Sequence, residues 1–144
     1  MKRLLWIMVM LGGSLWATDA TLAAKHLGAE QSYAQAVAKA RNTGKMLVMV
    51  VVKEHCRWCQ KLVDRTLSDP KVQKRLGEAF VTLIVDKDDT YPATFKEDFF
   101  PSIFYIDPKT EQSVYENVGY VRTKCFLNDL KGALQTQYDL YGKE

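Results

Sequence analysis

Cys56 and Cys59, separated by Arg57 and Trp58, form the one C-x-x-C in a chain that holds only three cysteines. Two intervening residues place both sulfurs on the first turn of a helix, close enough to close a small disulfide. Seven apolar residues, Met46 to Val52, lead up to the pair across a short polar step, Lys53-Glu54-His55, and Gln60-Lys61-Leu62-Val63 beyond it reads as helix. A dithiol at a strand-to-helix junction meets unpaired backbone N–H groups and the positive end of the helix dipole. Both favour thiolate over thiol, so Cys56 is expected to be acidic and nucleophilic. A bare C-x-x-C says little, whereas one that follows a buried strand and opens a helix points to redox chemistry.

Other uses of the motif fit less well. Haem attachment requires histidine after the second cysteine, and Gln60 stands there. Structural zinc takes four Cys or His ligands, and outside the pair the chain offers only Cys125, His26 and His55. No metal or other cofactor is therefore expected. A purely structural disulfide across so small a loop would stabilise little through chain entropy.

The elements that must hold the pair are legible in order. Ser32 is placed to cap a helix through Ala34, Ala36, Val37, Ala38 and Ala40, stopped by Asn42-Thr43-Gly44. Met46 to Val52 is valine-rich and apolar throughout, which suits a central strand covered on both faces. The helix that starts at the cysteines runs on to Leu67, with Leu62, Val63 and Leu67 at helical spacing. Ser68-Asp69-Pro70 then interrupts it, and Pro70 is placed to open another helix through Val72 and Leu76. Phe80 to Val85 is a second apolar strand, so strand, helical connection and strand make a right-handed parallel unit. Asp86 to Asp98 reads as an irregular polar loop. Its aspartates Asp86, Asp88 and Asp89 lack the glycine and closing glutamate of a calcium loop. Ser102–Ile106 and Ser113–Val118 form a hairpin across Asp107-Pro108-Lys109-Thr110. A last helix, Thr123 to Tyr138, carries the stripe Phe126, Leu127, Leu130, Ala133 and Leu134. Cys125 falls about 140° from the centre of that stripe, at about 100° per residue, so it is expected on the outer face and unpaired.

Composition places these elements in one globular domain: 144 residues, 47% apolar and 26% charged. The net charge of +3, without a basic stripe, gives no sign of nucleic-acid binding. The N-terminus is different in kind. Lys2 and Arg3 precede an uncharged run, Leu4 to Thr18, that Asp19 ends. The run is short for a membrane span, which needs about 20 residues, and it fits a secretory signal peptide over residues 1–20. Ala17, Ala20, Ala23 and Ala24 offer cleavage points, with cutting after Ala20 preferred. An uncleaved anchor is the alternative and would be the one tie to a membrane. Residues 21–29 read as a linker ahead of a domain over 30–144. Export to an oxidising compartment permits disulfides, yet three cysteines are too few for a disulfide scaffold.

The order helix, strand, helix, strand, hairpin, helix, with C-x-x-C closing the first strand, resembles the thioredoxin family over residues 30 to 138. Three stretches carry the resemblance: Cys56-Arg57-Trp58-Cys59; Phe100-Pro101-Ser102, where the family has a cis proline facing the cysteines; and Val118-Gly119-Tyr120 ahead of the last helix. The chain is similar in particular to exported thioredoxin-like proteins with a C-x-W-C or C-x-Y-C centre, relatives of thiol:disulfide interchange proteins. The resemblance implies an α/β three-layer sandwich, a central mixed sheet of four strands with helices on both faces, and a cis Phe100–Pro101 bond near Cys56. Proline at the first position of a strand removes no ladder donor, and a cis X–Pro bond is far cheaper than other cis peptides. That would leave the Phe100 backbone free to pair with an extended substrate.

What the resemblance implies for function is an exported, periplasmic thiol:disulfide oxidoreductase acting on protein cysteines without a cofactor. Cys56 would form the mixed disulfide and Cys59 would resolve it. Trp58, Phe99, Phe100 and Pro101 would hold the substrate. The protein is expected to work as a monomer, with a separate protein as electron donor or acceptor, and as a reductase rather than an oxidase or isomerase. The rival reading, a binding or holdase module without turnover, has the intact cysteine pair against it. Two departures from the family bear on mechanism. His55 and Arg57-Trp58 replace its tryptophan and Gly-Pro; positive charge from His55 and Arg57 would lower the Cys56 pKa and make the disulfide more oxidising. Val50 stands where thioredoxins keep a buried acid, six residues before the first cysteine, which leaves water or Glu54 to serve Cys59.

Overall fold

The computed structural model describes residues 19–142. Except for Asp19 and Ala20, the segment read as a signal peptide lies outside the described residues.

Four strands form one mixed sheet in the order β2-β1-β3-β4: β1 Met46–Val52, β2 Phe80–Asp86, β3 Ser102–Asp107 and β4 Gln112–Val118. β1 runs parallel to β2 and antiparallel to β3, and β3 pairs antiparallel with β4. All seven side chains of β1 are buried, because alternate residues of a strand point to opposite faces and both faces are covered. Met46, Val48, Val50 and Val52 pack with Leu62, Leu67, Val72, Leu76, Phe126 and Leu130. Leu47, Met49 and Val51 pack with Ala36, Val37, Ala40, Phe95 and Phe104. Helix α2 (Tyr33–Thr43) thus covers one face, while α3 (Arg57–Lys61), α4 (Pro70–Ala79) and α5 (Thr123–Tyr141) cover the other. This is the three-layer α/β sandwich, and it sets the C-x-x-C at the C-terminal end of the central strand.

Three segments differ from the sequence reading. Residues 21–29 are not an irregular linker: Ala20–Leu27 is helix α1. Asp19 caps it, its carboxylate accepting the N–H groups of Thr21 at 2.8 Å and Leu22 at 3.3 Å, and Gly28 ends it at φ 64°. Ala23 and Ala24 are buried in the core layer, so the inward face is made of alanine, which shows no apolar period yet is the strongest helix former. Glu30 then joins the edge of β2, donating to Thr82 at 2.8 Å and accepting from Ile84 at 3.1 Å. The second difference follows α3, where Leu62–Leu67 widens into a π-helical turn; its end is marked by Ser68 N–H donating to Val63 at 3.1 Å. The third is the polar loop after β2, which holds a short 3₁₀ turn, Ala93–Phe95, with Tyr91 and Phe95 buried. The aspartates there close their own turn: Asp89 accepts from the Asp86 N–H at 2.8 Å and Asp86 from the Asp88 N–H at 3.0 Å.

Asp107, 2% exposed at the end of β3, ties the hairpin turn to α5. Its carboxylate accepts from the Thr110 N–H at 2.8 Å, the Thr110 hydroxyl at 2.9 Å and the Gln137 amide at 2.6 Å. Burial alone would raise its pKa, but these hydrogen bonds prevail and hold the carboxyl below the usual carboxylate range. Asp107→Ala should lower stability by about 1–3 kcal/mol, read as a shifted urea midpoint. A depressed carboxyl stabilises above its unfolded pKa of about 3.9 and loses that contribution as pH falls through its folded value. The gap between wild type and variant should therefore close as the urea series is taken into acid.

Candidate active site

The pair is held by the way β1 ends. After Val52 the chain turns through Lys53-Glu54-His55, and His55 takes the left-handed region at φ 54°. That reversal lets Cys56, in extended geometry, become the N-cap of α3, with its sulfur accepting the Cys59 N–H at 3.2 Å. Capping by sulfur answers one of the orphan donors of the first turn. Cys56 and Cys59 form a disulfide, their Cα atoms 5.2 Å apart. Cys59 is fully buried and Cys56 is 7% exposed, so neither is open, but only Cys56 reaches the surface. The way to the pair is thus a narrow opening at Cys56.

Opposite the pair, Phe100–Pro101 is a cis peptide. The Cys56 sulfur lies 3.9 Å from the Phe100 carbonyl oxygen. The Pro101 carbonyl accepts the Gly119 N–H at 2.7 Å, which joins the proline segment to the end of β4. Among the described residues, Phe100 takes part in no backbone–backbone hydrogen bond. Its ring is partly buried against both core layers, with the Lys53 ammonium 5.7 Å above it, and Phe99 beside it is 70% exposed.

Trp58 is about half exposed and stacks on Tyr120 with centroids 6.1 Å apart at 29°. The Lys61 ammonium sits over both rings, 5.0 Å from Trp58 and 4.7 Å from Tyr120, and the Arg57 guanidinium lies 5.7 Å from Trp58. Beneath this cationic surface the second sulfur is in apolar company. Cys59 packs in the layer of Val50, Val52, Leu62, Val63 and Phe126. The buried polar or charged side chains among the described residues are Thr66, Ser102 and Asp107. The one carboxylate of these, Asp107, follows Ile106, the partner of Leu47, and so sits at the opposite end of β1 from the cysteines. Glu54 is exposed on the turn.

The thioredoxin-like sequence profile matches residues 28–108 of the chain. The chain belongs to the thioredoxin-like family. No curated protein matches it at a significant level. Among solved structures, a thioredoxin from Thermus thermophilus is 25% identical, with 79% of this chain and 93% of that chain covered and a TM-score of 0.68. DsbH oxidoreductase is 18% identical, over 74% of this chain and 83% of that one, with a TM-score of 0.58. The oxidised C-terminal domain of DsbD from Neisseria meningitidis is 19% identical, over 73% and 98%, with a TM-score of 0.57. These last two show the same thioredoxin-like fold.

The thioredoxin-like domain brings Cys56, Cys59, Phe100 and Pro101 to one place and sets Trp58 at its rim. Arg57 leans over Trp58, and His55 serves the backbone turn. Cys125 is free and exposed on α5. The sequence reading missed Lys61 and the ring of Tyr120, although Trp58 and Lys61 stand three apart on a helix, where side chains meet. Histidine tolerates φ above zero better than most residues. His55→Val should cost about 1–2 kcal/mol in denaturant unfolding, and His55→Gly should cost nothing or stabilise slightly, because only L side chains with a Cβ are strained there.

Proposed function

We propose that this chain is an exported thiol:disulfide oxidoreductase that reduces disulfides in proteins through Cys56 and Cys59. The observation that carries this reading is the redox pair itself: a disulfide capping a helix, one sulfur reachable and one sealed, beside a backbone segment free to pair with an extended chain. In the reduced protein the Cys56 sulfur would be held as thiolate by the Cys59 N–H and the helix N-terminus. It attacks one sulfur of the substrate disulfide, forming the mixed disulfide and releasing the first substrate sulfur as a thiolate. Cys59 loses its proton and attacks the Cys56 sulfur, which re-forms the Cys56–Cys59 disulfide and expels the second substrate sulfur. The substrate gains two electrons and two protons, and a separate dithiol protein resets the pair.

Without a buried acid near Cys59, the released substrate thiolate or water is the natural acceptor for its proton. Phe99, Phe100, Pro101 and Trp58 are the surface offered to the substrate. The Arg57 guanidinium, next in the chain to Cys56, adds positive charge, which works against a strongly reducing potential. The potential of the pair therefore decides direction: a value near about −270 mV supports a reductase and one near about −120 mV an oxidant.

Trapping tests the roles. Cys59→Ser should accumulate covalent partners through Cys56, Cys56→Ser should trap almost none, and Cys56 should alkylate with a pKa well below about 8.5. Faster alkylation of Cys59, or better trapping by Cys56→Ser, would reverse the assignment. Failure of the wild type to reduce insulin faster than the double Cys→Ser variant would favour a binding module.

Export rests on Lys2, Arg3 and the uncharged run that follows; one of the similar folds is described as a periplasmic thioredoxin, SoxS from Paracoccus pantotrophus. We place the cut upstream of Asp19, after Ala17, rather than after Ala20. Cutting after Ala20 would remove the α1 cap and a side chain only 7% exposed, and a lost cap costs about 1 kcal/mol. Intact mass of the exported protein should show that Asp19 is retained; a chain beginning at Thr21 would refute this.

A further inference from the structure

Beside the redox pair, Trp58, Lys61, Gly119, Tyr120 and Arg122 line an open groove of about 500 Å³. Its floor is aromatic and its charge is wholly positive. We propose that this groove binds the carboxylate of an aspartate or glutamate that lies within a few residues of the reactive cysteine in the polypeptide substrate. The proposal rests on the oxidoreductase reading for the identity of its occupant, and it assigns that substrate a chemistry.

Three observations carry it. The first is unanswered charge. Among the described residues, Lys61, Arg122 and Arg57 make no ion pair, and Asp64, the acid one turn from Gln60 on the same helical stretch, accepts instead from the Gln60 amide at 2.8 Å. The second is preorganisation. The Lys61 ammonium lies about 5 Å from both the Trp58 and Tyr120 rings, so less side-chain freedom is lost when it meets an anion. The rings also exclude water from one side of the charge, which strengthens its attraction for a carboxylate relative to an open surface. The third is position. Trp58 stands between the two cysteines, and Gly119 is hydrogen-bonded to Pro101, whose neighbour Phe100 lies against the Cys56 sulfur. At about 3.3 Å per extended residue, a chain bonded at Cys56 and lying along Phe100 reaches the groove within a few residues. A carboxylate, with its planar pair of oxygens, suits an ammonium and a guanidinium together; an apolar side chain would leave both cations unanswered.

The test uses disulfide-linked peptides that are identical except for Glu, Gln, Phe or Lys beside the cysteine. Wild type should exchange with the Glu peptide about two- to fivefold faster than with the Gln peptide at low salt, and the preference should shrink as salt is raised. In Lys61→Gln/Arg122→Gln the Glu-to-Gln ratio should fall to near one. A ratio is read because losing two cations also alters Cys56 itself, and that effect is common to both peptides. Lys61→Glu/Arg122→Glu should turn the preference towards the Lys peptide. Titration with the same peptides carrying Ser for Cys, followed by the Trp58 indole N–H chemical shift, reads the groove without turnover. Equal rates for Glu and Gln, a preference for Phe, or a Glu preference that survives in the double variant would overturn the groove assignment while leaving the oxidoreductase reading intact. Shifts at Trp58 specific to the Glu peptide, without exchange of any peptide, would support the groove and overturn the oxidoreductase reading.

Discussion

Burial of β1 on both faces is the constraint on which the rest of this molecule depends. Each of its seven side chains is sealed, and fully burying a Val, Leu or Met contributes about 1.5–3 kcal/mol, so the strand has no freedom to shift or slip. Its ladder partners add to this, with β2 on one side and β3 on the other. A strand fixed so firmly delivers its C-terminal end to one point at the rim of the sandwich. The chain must then leave the sheet and start a helix within four residues, and the left-handed His55 accomplishes the reversal. The position of Cys56 at the helix cap follows from that geometry more than from any contact the cysteine makes itself.

The same burial divides the two sulfurs chemically. Cys56 caps a helical stretch that continues through the π turn to Leu67, and the N–H it accepts is a fixed donor aimed at the position where negative charge develops on reduction. Cys59 sits one turn further in, in a layer of valine, leucine and phenylalanine, where burial without a charged partner opposes ionisation. Val50 is part of that layer and brings no acid to it. On the proposed reading, the reduced domain would therefore favour a thiolate at Cys56 over one at Cys59 by environment alone. On that reading, proton removal from Cys59 would fall to water or to the substrate thiolate released at the opening.

How far this could be read from sequence depends on how each feature is encoded. The strand and its C-x-x-C were legible because an unbroken apolar run and a fixed spacing are local patterns. So were α2, α4 and α5, whose caps or stripes are written in Ser32, Pro70 and the Phe126–Leu130 pair. Helix α1 was not, because a helix that packs with alanines has no contrast between its faces. The π turn was not, since widening a helix by one residue leaves the apolar spacing almost unchanged. The cationic groove was only half visible: Trp58 and Lys61 are helical neighbours, but Tyr120 and Arg122 arrive through the fold, more than fifty residues along the chain.

The segment that brings them, Gly119 to Thr123, is held from several sides. Gly119 has φ 90°, a conformation that a residue with Cβ adopts only under strain, and its N–H is committed to Pro101 at 2.7 Å. Val121 accepts the buried Thr66 hydroxyl at 2.6 Å, and the Thr123 hydroxyl reaches Arg65 at 3.4 Å. Both of those partners belong to the π turn. The widened turn thus has a consequence: it anchors, through Thr66, the loop that faces the first turn of the same helical stretch. Trp58 and Lys61 on that first turn and Tyr120 on the anchored loop are two walls fixed to one support. On the proposal above, a groove built this way would not need to close on a bound carboxylate, so little of the interaction with a passing chain would be lost to ordering. A transient partner of a redox protein must be gripped long enough for exchange and then released, and rigid walls with a few exposed charges suit that requirement better than a large apolar interface.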